Sequence, residues 1–363
     1  MSSDKAKITK RKIKNVKARR DVKRARARKM RNKNDSSYDS SLQKWKKAVV
    51  HLECATDSEH FYDRKKRMDE LRQSLDSGEI THEDFAKEIS GRSRDLRYHG
   101  TALFIIHNDR RYLLTARHVL FDQVSSDREL REEQERASEW PEHSREFILQ
   151  RANEAALNNV FNIIFRVPSI DEVQSDGIDC NREFLMNLGA GTTSGAPYTF
   201  SNPDLDLALV SLDQRDKRFA DQLIELGYKP IQSSLIADAP ISEGSEVFTV
   251  GFPSATAVLG QVSQHPASAH WSSSHFSLPV FSWGKVSMLH ENLPFYWCDM
   301  SIYPGNSGGP IIEDGKLVGI VSAQATLPID DAPQVRTRIP FGKIIKTSFV
   351  KELLEIQEQK DRN

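Results

Sequence analysis

Three side chains far apart in this sequence carry the groups needed to attack an acyl carbon. Ser307 sits in Gly305-Asn306-Ser307-Gly308-Gly309-Pro310. A serine hydroxyl is a poor nucleophile until a neighbouring base takes its proton. Glycines on both sides let the backbone curl tightly, exposing Oγ and aiming two N–H groups at one point. A base and an orienting carboxylate both occur upstream. His118 lies in Thr115-Ala116-Arg117-His118-Val119, directly after the apolar run Tyr112-Leu113-Leu114, and Asp206 opens Asp206-Leu207-Ala208-Leu209-Val210. Taken singly, a histidine at a strand end, an aspartate opening a strand and a Gly-Gly-Pro turn are ordinary structural residues. Together they have the composition of a nucleophile, its base and the group that orients the base. Asp204 competes locally with Asp206, but only Asp206 runs straight into the Leu-Ala-Leu-Val segment.

The order His118, Asp206, Ser307 is that of chymotrypsin, not of subtilisin or the α/β-hydrolases. Thr115-Ala116-Arg117-His118 resembles the histidine motif of the trypsin-like serine proteases, Asp206 to Leu209 their aspartate motif, and the serine loop their nucleophile loop. The resemblance is closest to the bacterial HtrA/Deg-like branch, where asparagine precedes the serine. Asp299 and Pro304 to Pro310 fit that branch, and the matching segments are spread over residues 46–350 with no PDZ-like extension. The resemblance implies a serine endopeptidase with an all-β core of two Greek-key β-barrels of the chymotrypsin type, helical insertions and a C-terminal helix. It implies that His118 is the base, Asp206 its partner, and the N–H groups of Gly305 and Ser307 the oxyanion hole. Ser301, six residues before the nucleophile, is implied at the base of the primary pocket, with Ser322, Ala323 and Gln324 as its wall. With no carboxylate at that base, a small or medium apolar residue is the expected preference. Asn306 cannot supply the buried carboxylate that captures a new N-terminus in trypsin-type zymogens. Loop ordering by substrate or partner is therefore the expected switch, not clipping. No cofactor and no metal are called for.

The elements that must position these groups are partly legible. Val49 to Cys54 reads as a first strand, and Gly100 to Ile106 resumes the sheet. Asn108-Asp109 turns the chain into Tyr112 to Thr115, a hairpin that delivers His118 to a strand end. Between them, residues 58–97 read as a helical hairpin. Met68, Leu71 and Leu75 share a face, Asp76-Ser77-Gly78 turns, and Thr81 with Asp84 resembles a capping box. Residues 125–158 are charged, helix-prone and broken at Pro141. Phe161 to Val167 returns to strand character, and Cys180 to Pro203 reads as a long loop. A second barrel is expected from Val247–Gly251, Gly284–Ser287, Tyr296–Met300 and Leu317–Ala323. Phe341, Ile344, Ile345, Phe349 and Leu353 fall on one face of an expected closing helix.

Composition bounds the rest. The 363 residues are 38% hydrophobic with a mean hydropathy of −0.55, and the formal net charge is zero. That zero conceals an asymmetry: residues 1–34 hold 16 Lys/Arg against Asp4 and Asp21, leaving a body of net charge −14. The expected organisation is a basic tail over residues 1–40 and a protease domain over 41–363. The tail is a candidate for salt-sensitive binding to nucleic acid or another polyanion, and it has no aromatic before Tyr38 on which a base could stack. It also suggests a second reading, a non-catalytic protease-like scaffold tethered to nucleic acid. Three cysteines, Cys54, Cys180 and Cys298, match neither a zinc site nor a disulfide framework and favour a reducing, cytoplasmic location. Cys298 has no base beside it in sequence and reads as a buried strand cysteine. His265, His270 and His275 recur every five residues in a Ser-rich loop and match no zinc spacing. No apolar run is long enough to span a membrane. The expected partner is a protein or peptide substrate, and nothing in the sequence sets an oligomeric state.

Overall fold

Hydrogen-bonding and burial together divide the body into an open sheet and a closed barrel. The computed structural model describes residues 40–57, 61–92, 95–156, 162–166, 183–186, 196–214, 218–261, 275–330 and 332–362. The chain separates into Met1–Lys46 and Lys47–Asn363. In the first unit residues 40–46 are helical, and the basic stretch 1–34 lies outside the described residues.

The second unit begins with β1 (Val49–Asp57), β2 (Asp95–His107) and β3 (Arg110–Ala116). β4 (Asn162–Arg166), β5 (Glu183–Met186), β6 (Tyr198–Phe200), β7 (Leu207–Ser211) and β8 (Ile231–Gln232) follow. They form one sheet in the order β5-β4-β1-β2-β3-β7-β6, with β8 paired to β2. The β2–β3 hairpin closes through Asn108 and Asp109, both at positive φ (47° and 62°), with His107 opposite Arg110. A two-residue turn with both centres left-handed matches the right-handed twist of its strands, and Asn and Asp tolerate that backbone best after glycine.

The second half holds β9 (Glu246–Gly251), β10 (Val258–Gln261), β11 (His275–Ser277), β12 (Val280–Met288), β13 (Phe295–Asp299), β14 (Pro310–Glu313), β15 (Lys316–Ile329) and β16 (Ala332–Lys346). Six of these close into an antiparallel barrel, β12-β13-β16-β15-β14-β9. Val247, Val286, Tyr296, Cys298, Ile311, Val321 and Ile344 fill it. The sheet half has its own core, with Val50, Leu52, Cys54, Phe104, Leu113 and Val210 fully inside. Cys54 and Cys298 are free thiols, one buried in each half.

Only one barrel closes among the described residues, where two were expected. The reason lies at the β6 edge. Pro197 and Ser201 bond towards β7, so Ala196 and Tyr198 present their carbonyls to the opposite side. The C-terminal helix Ser348–Arg362 takes them: Lys360 Nζ donates to Tyr198 O (3.1 Å) and Gln357 Nε2 to Ala196 O (3.4 Å). Helix side chains thus occupy acceptors that a closing strand would need. That helix is also shorter than the sequence suggests. Phe341, Ile344 and Ile345 belong to β16, and only Phe349 and Leu353 lie on the helix. A short apolar run fits either period, and here the barrel's need for a sixth strand decides. The supposed loop Cys180 to Pro203 contains β5 and β6.

Helices occupy both expected insertions. α1 (Phe61–Asp76) and α2 (His82–Arg92) stand between β1 and β2. Thr81 and Asp84 bond reciprocally, Asp84 N–H to Thr81 Oγ1 (3.1 Å) and Thr81 N–H to Asp84 Oδ2 (3.2 Å), which fixes the start of α2. After β3 come the single turn α3 (Arg117–Leu120), then α4 (Gln123–Ser138) and α5 (Glu142–Ala156), separated at Pro141.

Candidate active site

β3 carries the chain through five buried residues, Tyr112 to Ala116, and ends where α3 begins. His118 therefore leaves the core at a strand end, with half its side chain (51%) exposed. Beneath it Arg117 is nearly buried, its guanidinium 3.9 Å from the Phe121 ring centroid. Asp206 arrives from the neighbouring strand. Residues Pro203–Leu205 form a 3₁₀ turn begun by Asn202, whose side chain accepts the Asp204 N–H. Asp206 ends that turn in the left-handed region (φ 49°, ψ 43°). From there its carbonyl accepts the Arg117 N–H (3.0 Å) and its Oδ1 the His118 N–H (3.0 Å).

The carboxylate then meets the imidazole. His118 Nδ1 lies 2.8 Å from Asp206 Oδ2 and 3.0 Å from Oδ1. The Ser322 hydroxyl donates to the same Oδ2. Burial of Asp206 works against its charge, yet the hydrogen bonds and charge of His118 and the Ser322 hydroxyl outweigh it, so its carboxyl ionises below the ordinary carboxylate range. An ionised Asp206 accepts from Nδ1–H and leaves Nε2 as the open lone pair of a neutral imidazole. Asp204, the local alternative, makes no such contact among the described residues; its N–H donates to the Asn202 side chain.

Ser307 comes from the loop between β13 and β14. That loop is two consecutive tight turns. Asn306 N–H bonds Tyr303 O (3.0 Å), with Pro304 second and Gly305 third at φ 97°, the residue pattern of a type II turn. Gly309 N–H bonds Asn306 O (2.8 Å), with Gly308 third at φ 84°. A Cβ on Gly308 would collide with the Thr101 carbonyl and the Thr115 hydroxyl, so the glycine serves both the turn and the close approach. Ser254 holds the Pro304 carbonyl, with its N–H at 2.8 Å and Oγ at 3.1 Å. Among the described residues the N–H groups of Gly305 and Ser307 have no hydrogen-bond partner.

Ser322 links the two sides of the cleft. Its hydroxyl is on Asp206 and its carbonyl accepts Ser307 Oγ at 3.2 Å. Its side chain is therefore engaged with the carboxylate. Ser307 Oγ makes that bond and none to His118 among the described residues. Among the described residues no side-chain hydrogen bond joins Ser301, Ala323 and Gln324 to one another. Ser301 and Ala323 are exposed, and Gln324 Nε2 donates to Ile339 O (3.0 Å) across the β15–β16 ladder while its buried Oε1 has no partner among the described residues. His265 and His270 lie outside the described residues. Among the described residues no group of three His, Cys, Asp or Glu converges as a metal site would.

The family described as "Trypsin-like peptidase domain" matches residues 100–320, a span that contains His118, Asp206 and Ser307. The chain belongs to this family of trypsin-like peptidases. No curated protein matches the chain. Among solved structures, human heparin binding protein is 10% identical, covering 71% of this chain and 85% of that one (TM-score 0.38). The tobacco vein mottling virus protease is 10% identical over 85% of this chain and 82% of its own (TM-score 0.37). The thermostable serine protease AL20, from an extremophilic microorganism, is 12% identical over 72% and 91% (TM-score 0.39).

Proposed function

We propose that this protein is a serine endopeptidase of the HtrA/Deg-like kind, acting through Ser307, His118 and Asp206 and an acyl-enzyme. The observation that carries the reading is the Asp206 carboxylate holding His118 Nδ1 at 2.8 Å while Ser322 ties both Asp206 and Ser307. Ser307 Oγ turns from the Ser322 carbonyl to His118 Nε2 and gives up its proton as it attacks the scissile carbonyl carbon. The carbonyl oxygen takes the electron pair and is received by the N–H groups of Gly305 and Ser307. His118 returns the proton to the leaving amine, and the C–N bond breaks. Water, deprotonated by the same imidazole, then attacks the ester, and Ser307 leaves with the proton back on Oγ. Asp206 holds the ring and stabilises its cationic form throughout.

Ser301 offers no charge for a basic substrate side chain, which supports cleavage after small or medium apolar residues; dominant cleavage after Arg in a peptide library would overturn that preference. The free thiols Cys54 and Cys298 support work in a reducing compartment such as the cytoplasm. Separation at Lys46/Lys47 supports a single protease domain behind a basic tail. A second reading, a polyanion-tethered scaffold that binds peptides without cutting, is favoured only by the charge of residues 1–34.

A fluorophosphonate probe decides between them. Labelling of the wild type and not of Ser307→Ala is expected. A folded, unlabelled wild type that retains nucleic acid at about 50 mM salt would favour the scaffold.

A further inference from the structure

Thr101 lies on β2, in the sheet half, yet each of its polar groups is spent on the cleft. It is completely buried. Its hydroxyl accepts the Phe252 N–H (3.0 Å) and donates to the Gly305 carbonyl (2.7 Å). Its own N–H donates to the Ser307 carbonyl (2.9 Å). Its carbonyl accepts the Thr115 hydroxyl (2.7 Å), which fixes β2 against the strand that ends at His118. Thr101 therefore grips two residues of the nucleophile loop, both by their carbonyls. Both residues also carry an N–H group with no hydrogen-bond partner among the described residues.

We propose that Thr101 is a positioning residue for oxyanion stabilisation, holding Gly305 and Ser307 by their carbonyls so that their N–H groups stay directed at one point. The inference rests on the endopeptidase reading above. Its physical basis is that a type II turn and a type I turn differ by a flip of the central peptide. In this loop that peptide is Pro304–Gly305, the one bearing the Gly305 N–H. A flip would turn the donor out of the cleft and require negative φ at Gly305. Ser254 holds the Pro304 carbonyl on one side of Gly305, and the Thr101 hydroxyl holds the Gly305 carbonyl on the other. The hydroxyl also fixes Phe252, whose carbonyl would collide with a Cβ on Gly305 and so bounds that residue's movement. Valine keeps the shape of threonine and lacks both hydroxyl bonds; the backbone bond to Ser307 survives.

The test compares Thr101→Val, Thr101→Ser and Thr101→Ala in the full chain. Removing an oxyanion donor outright costs about 10²–10³-fold in kcat, so misaiming one is expected to cost Thr101→Val about 10- to 100-fold. KM should stay within about twofold, because ground-state contacts are untouched. Affinity for a peptide boronate, whose tetrahedral adduct places an oxygen in the hole, should fall in parallel with kcat. Thr101→Ser should restore both. If Thr101→Val fails to fold, the Ser/Ala pair carries the comparison, since those two differ by one hydroxyl. A loss that appears in KM, or equal activity of the Ser and Ala variants, overturns the clamp. A wild type that neither hydrolyses peptides nor takes a fluorophosphonate overturns the endopeptidase reading itself.

Discussion

Asp206 is the residue on which most of the site's electrostatics converge. Burial alone would push its carboxyl towards the neutral form; the bonds from His118 and Ser322 pull it the other way and prevail. A group depressed in the folded state stabilises the fold above its unfolded value, about 3.9, and that stability is lost as pH falls through the folded value. Ser322→Ala removes one of the bonds that hold the carboxylate ionised, so its folded pKa should rise. Stability near neutrality should then fall, because the contribution that is fully present above the unfolded value shrinks, and the acid-side loss should be smaller and complete at a higher pH. Urea midpoints measured between about pH 2 and 7 would show the lowered plateau and the shallower acid limb; an acid limb of unchanged size would mean that Ser322 contributes nothing to the charge on Asp206. The sequence made His118, Asp206 and Ser307 legible because each sits in a short, distinctive local string. Ser322 and Thr101 carry no such string. Their bonds to Asp206 and Gly305 cross 116 and 204 residues, and only the folded chain brings those groups together.

At the level of elements, the C-terminal helix covers the β6 edge. Gln357 is wholly buried. It accepts from Thr199 Oγ1 (2.7 Å) and donates to Ala196 O and to Asp361 Oδ1 (2.8 Å). Gln357→Leu would leave the Thr199 hydroxyl and the Ala196 carbonyl unpaired next to an apolar side chain. Unsatisfied buried groups cost about 1–3 kcal/mol each, so a loss of about 2 kcal/mol is expected in urea unfolding. Gln357→Glu, which keeps an acceptor for Thr199 but sets a buried carboxylate oxygen against Asp361 Oδ1 and the Ala196 carbonyl, should lose more. Equal losses for the two variants would mean that helix packing, not the capped edge, holds β6. The helix was visible in the sequence; its start was not. Phe341, Ile344 and Ile345 suit a helical face as well as they suit a strand, and their place in β16 is set by pairing with Asp299, Tyr296 and Phe295 in turn on β13. The β2–β3 turn was easier to read, because Asn108-Asp109 suits a two-residue reversal and little else.

Across the whole second unit the proposed chemistry is divided between the halves. The sheet half supplies His118, Asp206 and Thr101; the barrel half supplies Ser307 and Ser322. Each half also encloses one cysteine thiol among the described residues. Burial pushes the Cys54 thiol far up, with a smaller push from Glu53, and burial pushes Cys298 up to about 12. Neither forms appreciable thiolate while its surroundings are closed, and alkylating reagents need the thiolate. With Cys180 replaced by serine, iodoacetamide becomes a pair of independent clocks, one ticking only when the sheet opens and the other only when the barrel does. A closed barrel has no edge from which to fray, whereas the open sheet has edges, so Cys54 should be carbamidomethylated faster than Cys298 in mild urea, read peptide by peptide in a mass spectrometer. Identical rates would mean that sheet and barrel come apart as a single cooperative body.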